Sequence, residues 1–75
     1  MYLIKNLAEV PFVFTKTLRR GSKGLDVKML QLRLSIPADG IFGPITHLYT
    51  SIYQQNNELV SDGIVGPLTR AVLNE

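Results

Sequence analysis

Seventy-five residues allow one small core, and without cysteine no disulfide can brace it. The eight Lys and Arg against six Asp and Glu leave a net charge of +2, scattered with no basic stripe, which excludes nucleic acid as the expected partner. No run approaches the ~20 apolar residues that a membrane span needs, and Glu9 and Pro11 break the apolar N-terminus before it can act as a signal peptide. Starting at Met1, the chain is expected to be complete. Action outside a cytoplasm is then expected to depend on lysis, a phage particle or another export route.

In chain order, residues 2–10 place Leu3, Leu7 and Val10 at helical spacing, which predicts a short amphipathic helix ended by Pro11. Phe12, Val13 and Phe14 favour extended backbone and Pro11 blocks a helix, so residues 11–18 read as a strand or arm. A loop over residues 19–22 leads to a helix over 23–35, with Ser22 as its N-cap and Val27, Leu30, Gln31 and Leu34 on one face. Pro37 stops it. A second helix is predicted over 44–55, ended by Asn56 and Asn57, of which Asn57 takes the left-handed cap. A third begins at Pro67. The fold class expected is all-α: a compact three-helix bundle over residues 18–75 with an apolar N-terminal extension over 1–17.

The second and third helices are introduced by the same phrase. Residues 39–46 read DGIFGPIT and residues 62–69 read DGIVGPLT, identical at six of eight positions and 23 residues apart. Asp39-Gly40 and Asp62-Gly63 are turn signals, since the carboxylate accepts local backbone N–H groups and Gly adopts φ > 0 without strain. Gly43-Pro44 and Gly66-Pro67 open helices. Pro at the first helical position forfeits no bond, and Gly43 and Gly66 fall at the N-cap, where a β-branched residue is expected to be resisted. Thr46 and Thr69 lie in the first turn, with hydroxyls able to reach the loop before it.

The segments LRRGSKGLDVKMLQLRL, DGIFGPIT and YQQNNELVSDGIVGPLTRAVL together resemble the peptidoglycan-binding domain family, the three-helix module found beside bacterial and phage wall hydrolases. Leu18, Arg19, Gly21, Ser22, Gly24, Val27, Leu30, Gln31, Leu34, both cassettes, Tyr53, Gln54, Leu59 and Leu73 stand at the matching positions. The resemblance covers residues 18–73 and implies a non-catalytic role in holding peptidoglycan. The sequence departs from the family pattern at Glu58, Tyr49, Thr50 and Arg70, where Gly, Ala, Val and Trp are common, and in the short loop over residues 35–38. Recognition of a wall polymer suits aromatic faces, amides and a cation, so Phe42, Tyr49, Tyr53, Gln54, Asn56, Asn57 and Arg70 are the candidate ligand residues.

Catalytic chemistry has little to draw on. His47 has neither a cysteine nor a second histidine to complete a zinc site. Asp39 and Asp62 occupy equivalent turns, so backbone capping explains them better than a glycosidase carboxylate pair. Neither cassette carries the spaced oxygen ligands of a calcium loop. No cofactor is expected, and the chain reads as a non-enzyme.

An alternative function follows from the apolar surface. Leu25, Met29, Leu32 and Ile36 form a second stripe on the first helix, and Ile45, Leu48 and Ile52 widen the apolar arc of the second. Either the N-terminal segment folds back over them, or another chain covers them. The latter describes a small structural or assembly protein, such as a phage particle component, that associates with itself or a partner through this stripe and the N-terminal arm.

Overall fold

A computed structural model describes residues 12–75; the helix expected over residues 2–10 lies outside the described residues. Three helices follow in order: α1 (Leu25–Arg33), α2 (Pro44–Asn56) and α3 (Pro67–Leu73). Among the described residues there is no strand, only two isolated antiparallel bridges, Leu18 with Val65 and Lys23 with Ile41. Each bridge ties an early loop to one cassette. Leu18 and Val65 exchange both backbone hydrogen bonds, at 3.2 and 2.8 Å, and Gly21 and Ser22 bond to Phe42 at 3.0 and 2.9 Å.

The N-cap of α1 is Gly24, which corrects the assignment of Ser22. Ser22 Oγ instead accepts the Arg19 N–H at 3.0 Å and closes the turn one step earlier. With that hydroxyl committed to the loop, the first helical bond runs from the Lys28 N–H to the Gly24 carbonyl. Asp26 in the first turn and Arg33 in the last complement the helix dipole.

Both α1 and α2 end in the same way. Ser35 and Glu58 take positive φ, 58° and 59°, at positions 23 residues apart. In α1 the Ile36 N–H reaches the Gln31 carbonyl and the Ser35 N–H reaches Leu32; in α2 Leu59 reaches Gln54 and Glu58 reaches Gln55. This is the Schellman pattern, in which the residue after the C-cap must be left-handed. The left-handed residue is therefore Glu58 and not Asn57, whose φ of −107° is ordinary. Hydrogen-bond register overrode the residue preference, and Asn57 instead donates its side-chain amide to the Tyr53 carbonyl at 2.8 Å.

Gly43 and Gly66 do form the N-caps of α2 and α3, ahead of Pro44 and Pro67. Their φ values, −111° and −94°, lie in extended space, and a Cβ at either would meet nothing within 4 Å. The expected resistance to a β-branched residue therefore has no backbone basis there. Gly40 and Gly63 carry the positive φ, +77° and +75°.

Phe14, Leu18, Val27, Met29, Leu30, Phe42, Val65 and Leu73 make the core, with Phe12, Leu32, Leu34 and Tyr53 packed against it. Fully burying one such side chain stabilises by roughly 1.5–3 kcal/mol. Met29 is only 3% exposed and Leu32 and Ile36 are half-buried, so the second stripe is no free face: of its four members only Leu25, at 63%, stands out in solvent. The cover comes from within the chain. Phe14 joins the core beside an edge-on Phe12, and its backbone N–H and carbonyl are held by the Asn74 side chain at 2.7 and 2.9 Å. Arg33 lies 5.5 Å over the Phe14 ring and donates to the Leu73 carbonyl at 2.8 Å. The arm is thus clasped between the end of α1 and the end of α3.

Candidate functional site

Each cassette is built around a buried glutamine. Gln31, on the inner face of α1, donates through Nε2 to Asp39 Oδ1, the Ile41 carbonyl and Thr46 Oγ1 at 2.9, 3.0 and 3.0 Å, and accepts the Gly40 N–H through Oε1 at 2.9 Å. Gln54, on α2, repeats this bond for bond, reaching Asp62, the Ile64 carbonyl and Thr69 at 3.1, 2.8 and 3.0 Å and accepting the Gly63 N–H at 2.9 Å. Asp39 and Asp62 also accept the N–H of Ile41 and Ile64. One buried amide therefore satisfies a turn, a loop carbonyl and a buried first-turn threonine at once. No buried side-chain polar atom among the described residues lacks a partner.

The same bonds set the charge state of the aspartates. The Ile41 N–H, then the Gln31 amide, hold the Asp39 carboxyl below its ordinary value. For Asp62 the Ile64 N–H lowers it most, burial works in the opposite direction, and Gln54 and His47 add to the lowering. Both carboxylates are ionised at neutral pH. His47 packs its ring on Gly63, where any Cβ would overlap it. Among the described residues no three His, Cys, Asp or Glu side chains are grouped as metal ligands, and no helix is long and apolar enough to cross a membrane.

The candidate ligand residues divide. Phe42 and Gln54 are each 1% exposed, which removes both from any surface: Phe42 fills the core and Gln54 is the second bracing glutamine. Tyr53 is half-buried against the core, and burial pushes its phenol above its ordinary range. Arg70 is half-buried and donates to Thr17 Oγ1 at 2.9 Å. Tyr49, Asn56 and Asn57 are exposed along α2. Thr50, by contrast, is fully buried and donates its hydroxyl to the Thr46 carbonyl at 2.7 Å.

Concave surfaces lie elsewhere: one over each cassette, and a third of about 320 Å³ that also borders Asp39, lined by Gly24, Leu25, Lys28 and Gly40. A cleft of about 400 Å³ is lined by Gln31, Pro37, Asp39, Ile41, Gly43, Pro44, Ile45 and Thr46. A second, of about 270 Å³, is lined by Leu59, Val60, Asp62, Ile64, Gly66, Pro67, Leu68 and Thr69. None of the seven candidates lines either one. Of the lining residues, Ile45 was read only as part of the outer apolar arc of α2 and Pro37 only as a helix stop, while Ile41, Val60, Ile64 and Leu68 carried no reading as a surface. Aligning the two copies beyond the cassette itself would have exposed them as pairs.

The peptidoglycan binding domain family matches residues 23–73, two thirds of the chain and both cassettes. The chain belongs to this family. It is 35% identical to the zinc D-Ala-D-Ala carboxypeptidase of Streptomyces albus G, with 77% of the chain aligned to 26% of that protein. A fused Zn-dependent amidase/peptidase/peptidoglycan-binding domain-containing protein of Clostridium acetobutylicum superposes with a TM-score of 0.74 at 37% identity, over 80% of this chain and 29% of that one. An endolysin of the Burkholderia phage AP3 gives 0.74 at 40% identity, over 77% and 24%. The SleB N-terminal domain gives 0.77 at 31% identity, over 83% of this chain and 93% of that domain. The chain therefore spans about a quarter of the length of the curated relative and nearly all of an isolated domain of this kind.

Proposed function

We propose that this unit holds bacterial peptidoglycan without cleaving it and so brings whatever accompanies it to the cell wall. The observation that carries the reading is the doubled, glutamine-braced cassette inside a family match over residues 23–73, in a fold shared with the AP3 phage endolysin and a fused amidase/peptidase. The carboxylates support the non-catalytic part. Asp39 and Asp62 each spend an oxygen on the turn they cap, and backbone hydrogen bonds lower their pKa, the reverse of what a general acid needs. Tyr49, Asn56 and Asn57 remain solvent-facing candidates for sugar and amide contacts.

Incubation with purified sacculi tests both halves. The chain is expected in the pellet at micromolar concentration, with no soluble wall fragments released. A chain that stays in the supernatant overturns the binding role, and release of fragments overturns the non-catalytic one.

A second reading, a structural or assembly component such as one of a phage particle, draws on Ile45, Leu48 and Ile52, which stand 58%, 53% and 41% exposed on α2. Light scattering distinguishes it: a dimer or larger assembly that dissociates when Leu48 becomes Lys supports this reading, and a monomer opposes it.

A further inference from the structure

The two clefts repeat features that the fold does not need. Ile45 and Leu68 occupy matching places 23 residues apart, and both are well exposed, Leu68 at 73%. Pro37 and Val60 form a second such pair, again exposed and again on matching walls. A lone exposed aliphatic residue is ordinary. The same wall rebuilt in both copies, beside an aspartate in both, has no explanation in the core, which contains none of these side chains. The aspartates complete the pattern. The turn and the glutamine engage Oδ1 of each; among the described residues Oδ2 accepts no hydrogen bond, and neither carboxylate is within 4.0 Å of a cation.

That lining selects its ligand. Neither cleft contains an aromatic ring, so neither offers the flat face on which a sugar stacks. Aliphatic walls suit methyl groups, and a carboxylate at the edge suits an ammonium. Each of the two clefts has one carboxylate and no Lys or Arg in its lining, which suits a cationic ligand. Within peptidoglycan the glycan strand carries no ammonium, whereas the peptide stems combine alanyl methyls with the free amine of a diamino acid. Resting on the reading that the chain holds peptidoglycan, we propose that the two clefts are equivalent subsites for its peptide stems, each seating a methyl on Ile45 or Leu68 and an ammonium on Asp39 or Asp62. Two like subsites on one rigid unit match a polymer that presents the same stem repeatedly, and tethering turns two weak contacts into a firmer one.

The test uses the soluble pentapeptide Nα-acetyl-L-Ala–γ-D-Glu–L-Lys–D-Ala–D-Ala, whose capped N-terminus leaves the lysine amine as its one ammonium, the same peptide acetylated on that amine, and tetra-N-acetylchitotetraose, each titrated into the full chain and followed by amide chemical shifts. The intact peptide is expected to shift Ile41 and Ile45 in one cleft and Ile64 and Leu68 in the other. Acetylation is expected to weaken both responses about two- to fivefold, the scale of a solvent-exposed ion pair. Asp39→Asn retains an oxygen that can accept the turn bonds and is expected to weaken the first cleft alone; Asp62→Asn acts likewise on the second. Ile45→Ser, at an exposed site outside the bracing network, serves as the independent variant and is expected to weaken the first cleft with the fold intact. Equal response to the acetylated peptide, or shifts at Ile41, Ile45, Ile64 and Leu68 produced by the chito-oligosaccharide and not by the peptide, overturns the proposal. If the chain pellets with sacculi while the peptide moves neither cleft, the subsites are wrong and wall binding stands. If it does not pellet, the wall reading falls and this proposal with it.

Discussion

Replacing Gln31 by Ala removes four hydrogen bonds and fills their place with nothing. Two of the abandoned partners, the Gly40 N–H and the Thr46 hydroxyl, are buried, while Asp39 and the Ile41 carbonyl lie near solvent and can turn to water. Each of the two buried groups left without a partner costs about 1–3 kcal/mol, and the water-accessible pair adds only a fraction of the usual ~1 kcal/mol each, giving about 2–6 kcal/mol in all. A chain of this size is stabilised by about 4–11 kcal/mol, so the loss is a large share of the whole. At about 4–8 °C per kcal/mol it lowers Tm by roughly 10 °C or more. Gln54→Ala is expected to match it, since its network is the same. Gln55→Ala, one residue on and exposed, is the control, expected to stay within about 0.5 kcal/mol. Urea denaturation followed by circular dichroism measures all three. A loss below about 1 kcal/mol for Gln31→Ala and Gln54→Ala would refute the claim that the glutamines hold the cassettes.

Ser35→Gly and Glu58→Gly should each stabilise by up to about 1 kcal/mol in the same urea assay, because both positions require φ > 0 and glycine meets no steric cost there. Gly63→Ala should cost at least about 1 kcal/mol, from positive φ and overlap with the His47 ring, whereas Gly66→Ala, extended and unobstructed, should cost well under that. Asp39 and Asp62 have folded-state pKa values below their unfolded ones, so the stability they contribute is present above the unfolded value and is lost as the pH falls through the folded one. Melts across the acid range should show this loss, and Asp39→Asn/Asp62→Asn should flatten it.

The parts of the fold set by short-range chemistry were legible in the sequence. Asp-Gly turns and Gly-Pro helix starts act within four residues, so the two cassettes and the starts of α2 and α3 could be read directly. Gln54 was misread because a Gln-Asn run at a helix end looks like surface. Its separations from Asp62 and Thr69, 8 and 15 residues, are those of Gln31 from Asp39 and Thr46, and this was the missed signal. Glu58 was missed because the left-handed position was assigned by residue preference, while the helix hydrogen-bond register decides it. The docking of Phe14 depends on Asn74, 60 residues away, and no local pattern predicts such a pairing. The clefts are surfaces left over from packing, and only their duplication distinguishes them from chance.

Hydrogen exchange by mass spectrometry, on the chain alone and on the chain bound to sacculi, tests most directly the claim that the two cassettes are both the frame of the domain and its wall-facing surface. The account predicts slowed exchange over residues 37–46 and 59–69 and little change over residues 12–18. Protection confined to the outer face of α2 around Leu48 and Ile52, or none on either cassette while the chain is pelleted, would contradict it.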